Sequence, residues 1–130
     1  MADAGEKRRS VIFRVGLENL LKALITSGKR VTLILDVPEL DFDPKTCLKA
    51  RGLENCSIDA KTVARRQENY TSIISDLKVH YQFRVIDLKS AFCDDTKCRA
   101  SDDALILYRD THHLGVFGNS FLLKSGLKLN

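Results

Sequence analysis

Residues 30–38 (Arg-Val-Thr-Leu-Ile-Leu-Asp-Val-Pro) set the terms for the rest of the chain. A nearly continuous β-branched and aliphatic run of this length predicts a strand buried on both faces, and such strands belong to parallel sheets covered by helices. The segment before it fits that reading. Leu17, Leu20, Leu21, Leu24 and Ile25 recur at helical spacing, Glu18, Lys22 and Ser27 fall opposite, and Gly28 stands where a helix stops. Helix, short basic turn and buried strand make the second half of a β-α-β unit, so the expected class is α/β.

The remaining pattern extends this plan. Residues 1–9 are polar and predict a frayed, disordered tail. Periodicity vanishes over residues 39–57, which predicts a loop. Ser57 to Asp59 offer helix caps, and Val63, Tyr70, Ile73, Ile74 and Leu77 mark an amphipathic helix running to about Val79. Residues 83–88 predict a second strand, 89–103 a polar excursion, 104–108 a short last strand, and Val116, Phe117, Phe121, Leu122 and Leu123 a terminal helix. The order is α-β-α-β-β-α, with right-handed crossovers wherever strands are parallel. A chain of 130 residues suits one domain over 1–130 with one sheet.

Composition removes several classes. With 44% hydrophobic and 29% charged residues, disordered and fibrous chains are excluded. The net charge of +4 comes from scattered groups, Lys7-Arg8-Arg9, Lys29-Arg30 and Arg65-Arg66, with acidic residues between them. No basic-aromatic alternation of the kind that stacks bases is present, and there is no Trp, so nucleic acid is not an expected partner. The apolar stretch 11–25 is interrupted by Arg14, Glu18, Asn19 and Lys22, which excludes a bilayer span or a signal-peptide core there.

Four cysteines fall in two local pairs inside polar loops, Cys47 with Cys56 and Cys93 with Cys98. Disulfides are the expected state, and they belong to an oxidising compartment. Either the cysteines are reduced, then, or an exporting segment lies upstream of Met1. A rival is a zinc module built from the four cysteines, or from two of them with His112 and His113; the Cys47 to Cys56 spacing is wide for a zinc knuckle. No Cys-x-x-Cys is present to support a redox role.

Directly after the last predicted strand comes Asp110-Thr111-His112-His113-Leu114. A histidine acts as general base on a hydroxyl when its other ring nitrogen is held by an acceptor, commonly a carboxylate, that fixes the tautomer and stabilises the imidazolium. A turn brings Asp at i and His at i+3 to the same side. Spacing alone favours the plainer reading, in which Asp110 caps the last helix and His113 is a partly buried first-turn residue. His80 reads as a surface turn residue, and Asp36 and Asp87 as caps at strand ends.

Residues 107–118 (Leu-Tyr-Arg-Asp-Thr-His-His-Leu-Gly-Val-Phe-Gly) resemble the last block of SGNH hydrolases, in the form found in SGNH domains fused to membrane acyltransferases of the type-3 family. Asp36-Val37-Pro38-Glu39-Leu40 with Asp43-Pro44 and Cys47 resembles that group's strand-to-loop segment. Val85-Ile86-Asp87-Leu88 with Phe92-Cys93, Cys98 and Leu107-Tyr108 resembles its later half. The similarity runs in matching order from about Gly16 to the C-terminus. It implies a three-layer α/β/α fold with a mainly parallel, flavodoxin-like sheet, Asp110 and His113 as acid and base of a triad, His112 as a bystander, and no cofactor. Gly115 stands where these domains commonly have serine.

The family's nucleophile block (Gly-Asp-Ser), its second glycine and its Gly-x-Asn block are absent, and in the family they precede the region matched here. The resemblance therefore implies a C-terminal portion, incomplete at its N-terminal side, whose serine nucleophile lies outside this chain. Complete proteins of the group pass an acyl group, commonly acetyl, across the membrane to a sugar hydroxyl of a surface polysaccharide or lipopolysaccharide. An upstream membrane acyltransferase domain and a place on the periplasmic side of the bacterial inner membrane follow as expectations, and both suit paired cysteines. The alternative is a non-catalytic remnant or interaction domain.

Overall fold

The computed structural model describes residues 3–52, 55–103 and 105–127. In chain order the elements are α1 (Ala4–Thr26), β1 (Thr32–Ile34), α2 (Pro44–Arg51), β2 (Ser57–Asp59), α3 (Ala60–His80), β3 (Arg84–Ile86), α4 (Lys89–Phe92), β4 (Lys97–Arg99), β5 (Ser101–Asp102), β6 (Leu105–Ile106) and α5 (Val116–Lys124). β1 pairs with β3, β2 with β4, and β5 with β6. The Arg84 N–H donates to Val31 and the Leu35 N–H to Ile86, so both strands of the first pair run the same way. Helices with a parallel strand pair are the α/β class that the sequence predicts. The other two pairs are antiparallel and were not foreseen.

The chain divides into two compact units, residues 1–33 with 66–85, and residues 34–65 with 86–130. In the first, α1 begins at Ala4, so residues 4–9 are helical rather than a frayed tail; Met1 and Ala2 lie outside the described residues. Arg14 meets Asp76 at 3.1 Å, and the Tyr81 hydroxyl donates to the Glu18 carboxylate at 2.7 Å. That bond, with Lys22 and Arg14 nearby, holds the Glu18 carboxyl below its ordinary value. Leu21, Ile74, Leu77 and Phe83 are buried here, while Val11, Ile12, Phe13, Val15 and Leu20 leave other sides of α1 apolar and exposed.

The second unit holds the larger core, built on Val37, Leu40, Ile58, Val63, Phe92 and Leu107. Two helices, α2 and α3, start in it where short polar side chains accept from free backbone N–H groups. Asp43 accepts from Thr46 at 2.8 Å ahead of Pro44, which starts α2 inside the expected loop. Asp59 accepts from Lys61 and Thr62 at 2.8 and 3.1 Å, the cap anticipated before α3. Both cysteine pairs are disulfides, Cys47–Cys56 and Cys93–Cys98, and no cysteine is free. The second closes the turn that joins α4 to β4. With every sulfur bonded, no thiolate remains to bind zinc, and the cysteine-based zinc reading falls.

Two strand expectations need correction. The run 30–38 is regular only over Thr32–Ile34, and Ile34 is 59% exposed. Thr32 and Ile34 point to one exposed face, and among the described residues β1 has one hydrogen-bonded neighbour, so burial on both faces is not achieved; Leu35, Val37 and Pro38 are buried just beyond its end. The predicted last strand shortens to Leu105–Ile106, with Ala104 outside the described residues, and it pairs with Ser101–Asp102. The polar excursion before it is thus a strand-bearing segment, because β4 pairs with β2 and Asp94 caps its turn.

Candidate functional site

The segment after β6 is tied down at both ends before any chemistry is considered. Tyr108 is buried and its hydroxyl donates to the Pro38 carbonyl at 2.7 Å. Burial and the charge of Asp36 push its phenol well above the ordinary value. Tyr108 also pairs with Leu114 in an isolated antiparallel bridge, and the Arg109 N–H donates to the His113 carbonyl at 2.8 Å. From outside, the Leu40 N–H donates to the Thr111 carbonyl at 2.7 Å. After it, the Gly115 N–H donates to Leu107 at 2.8 Å as α5 begins. No side chain caps that helix, the local consequence of glycine where serine is common in the resembling domains.

Within this frame Asp110 folds the turn around its own carboxylate. Its Oδ1 accepts from the backbone N–H of His112 at 3.0 Å and of His113 at 2.8 Å. The same carboxylate meets His113 Nδ1 at 2.8 Å through Oδ2 and 3.0 Å through Oδ1. The His112 N–H and then the His113 imidazole hold the Asp110 carboxyl well below the usual carboxylate range, so it stays ionised at neutral pH. Among the described residues His113 Nε2 has no hydrogen-bond partner, and the imidazole is about half exposed. The ring is thus anchored on one nitrogen and open on the other.

The structure brings Asp110 and His113 together as the sequence proposes, on an exposed turn rather than as a helix cap with a buried first-turn histidine. His112 stands beside the pair: its ring centroid lies 4.1 Å from that of His113, and its Nδ1 lies 3.7 Å from Asp110. The adjacency of the two histidines was the available signal. Asp36 and Asp87 act locally, accepting from Val37 at 2.8 Å and Lys89 at 2.9 Å, and His80 ends α3 in an exposed position. Cavities of about 460 and 510 Å³ in this unit are lined by other residues, the first by Asp94, Lys97 and Arg99, the second by Leu105, Phe117 and Phe121.

An α/β chain that presents an Asp-x-x-His pair on a turn just before α5 has features of an SGNH-type domain. A family model described as "SGNH domain (fused to AT3 domains)" matches residues 2–124, and the chain belongs to that family. It is therefore an SGNH domain of the kind associated with acyltransferases. No curated protein and no solved structure matches the chain.

Proposed function

We propose that this chain supplies the acid and base of an acyl-transfer site, Asp110 and His113, within an acyltransferase that O-acylates, most simply O-acetylates, a sugar hydroxyl of a cell-surface glycan. The observation that carries the reading is the His113 Nδ1 to Asp110 carboxylate contact of 2.8 Å with Nε2 left open. Nδ1–H donating to the carboxylate puts the lone pair on Nε2, the atom that accepts a proton from an attacking hydroxyl. A serine outside this chain is the nucleophile: its proton passes to His113, its oxygen forms the ester with the acyl group, and the donor leaves carrying that proton. The sugar hydroxyl then gives its proton to His113 and takes the acyl group, and the serine is restored. Asp110 stabilises the imidazolium in both halves.

No serine of this chain sits in a Gly-Asp-Ser context. Losing a single oxyanion donor costs about 3 to 4 kcal/mol in the barrier, and losing the nucleophile removes the covalent route. The two disulfides support an oxidising compartment, and we place the domain on the periplasmic side of the bacterial inner membrane beside a membrane acyltransferase domain. Among the described residues no helix is long and apolar enough to cross a membrane.

Reading the gene upstream in frame tests the arrangement first, with a Gly-Asp-Ser block and membrane spans expected. In that full-length protein, Asp110→Asn and His113→Ala should each lower glycan acetylation by about 10³-fold or more. Wild-type acetylation in either variant rejects the assignment. The chain alone should not hydrolyse nitrophenyl acetate, and turnover that depends on His113 would place the nucleophile inside it.

A further inference from the structure

We propose that Asp110, His112 and His113 also form a binding site for a divalent transition-metal ion of the Zn²⁺ class, and that occupying it takes His113 out of its base form. One ligand atom from each residue lies within 4.8 Å of the others. From the Asp110 carboxylate, His112 Nδ1 is at 3.7 Å and His113 Nδ1 at 2.8 Å. Ligand atoms on a tetrahedral zinc with bonds of about 2.0 Å stand about 3.3 Å apart, so the two distances to the carboxylate need changes of about half an ångström, and the two imidazole nitrogens, within 4.8 Å of each other, close by rotation of their half-exposed rings. The turn that carries them is already set by the two backbone bonds to Asp110 and needs no metal to form. Two imidazoles and one carboxylate select zinc, copper or nickel over magnesium and calcium.

Three existing contacts must yield, the first being the His113 Nδ1 hydrogen bond to the Asp110 carboxylate, which the metal replaces. Thr111 Oγ1 lies 3.0 Å from His112 Nδ1, and Arg109 Nε lies 3.7 Å from Asp110. Thr111 needs one hydroxyl rotation to release the nitrogen, and the Arg109 side chain, 68% exposed, can turn to solvent.

The chemical consequence is a tautomer change. Metal on His113 Nδ1 displaces the proton from that nitrogen, and a neutral imidazole then carries it on Nε2. Nε2 becomes a donor and can no longer accept from a hydroxyl. Metal binding itself stands without the acyl-transfer reading; its effect as an off-switch rests on that reading.

The test uses the untagged chain without reductant, so that no thiol competes. Equilibrium dialysis against Zn²⁺ should give one ion per chain, and the imidazole nitrogen resonances of His112 and His113 should shift while those of His80 do not. His112→Asn and Asp110→Asn should each weaken binding by more than about 100-fold, beyond the roughly 10- to 100-fold that loss of an outer-shell partner usually costs. His80→Asn should leave it unchanged. No saturable binding, shifts confined to His80, or an affinity that survives His112→Asn would overturn the proposal. Because binding is read without any acyl transfer, its failure leaves the acid–base pair untouched.

Discussion

Gly118 is the point at which α5 can be seated against the strand end that leads into the candidate site, and alanine there should unseat it. A Cβ at this position would overlap the Leu107 carbonyl oxygen, lie 2.9 Å from its carbon and stand 3.1 Å from Leu114 Cδ2. Ordinary contact starts near 3.4 Å, so to clear the oxygen the backbone must move by more than about an ångström, and unlike a side-chain tip the Leu107 peptide has no rotamer to escape into. Overpacking of this kind costs about 1 to 3 kcal/mol. The same oxygen accepts the Gly115 N–H at 2.8 Å, and weakening that bond adds about 1 kcal/mol. The better helix propensity of alanine offsets about 1 kcal/mol, for a net loss of about 1 to 3 kcal/mol. In a chain of this size that is a fall in Tm of about 4 to 12 °C. Thermal unfolding followed by circular dichroism measures it, and faster hydrogen exchange at the Gly115 amide locates it. Gly16→Ala on α1, where an added Cβ meets nothing within 4 Å, should instead stabilise by about 0.5 to 1 kcal/mol. A Gly118→Ala protein that melts with wild type and keeps its Gly115 protection would refute the packing argument.

Two further outcomes follow from the loops. The disulfides close separations of 9 and 5 residues, so Cys47→Ser with Cys56→Ser, or Cys93→Ser with Cys98→Ser, should each cost about 2 to 3 kcal/mol in denaturant unfolding, and thiol titration of the unreduced, denatured wild type should find no free sulfhydryl. The N–H groups of Lys97 and Thr96 pull the Asp94 carboxyl down to about 2. A depressed carboxyl contributes stability fully present above its unfolded value near 4 and lost as pH falls toward its folded value. Asp94→Ala should therefore melt below wild type at pH 5 to 7, with the gap closing toward pH 2; a gap independent of pH would show that the carboxylate is not what the turn uses.

The helices were the most legible part of this fold. A 3.6-residue apolar period and a capping carboxylate both act within a few residues, which is why α3 starts and ends close to where Asp59 and Val79 predict. Strands are decided by partners far along the chain. The run 30–38 is apolar enough for a central strand, but its regular part has one neighbour, and Ile34 stays exposed. Conversely Lys97–Arg99 has no strand-like pattern at all, and it becomes β4 because the Cys93–Cys98 turn and the Asp94 cap hold it alongside β2. Nothing local announces that pairing.

The candidate site divides along the same physical line. Asp110 and His113 meet through an i to i+3 turn whose bonds are all made inside the segment 110–113, so their pairing could be read from four consecutive residues. What keeps the turn in place is non-local: the Leu40 N–H on the Thr111 carbonyl, the Tyr108 hydroxyl on Pro38, and the close approach of Gly118 to Leu107. Those three contacts join the loop after β1 and the first turn of α5 to the two sides of the acid–base pair. Substitutions at Tyr108 or Gly118 should consequently act on the site by moving it, whereas a substitution at His113 leaves in place the backbone bonds that Asp110 accepts and, on the proposed acyl-transfer reading, acts on the chemistry alone. The two groups are separable by experiment, because only the first should change stability and histidine chemistry together.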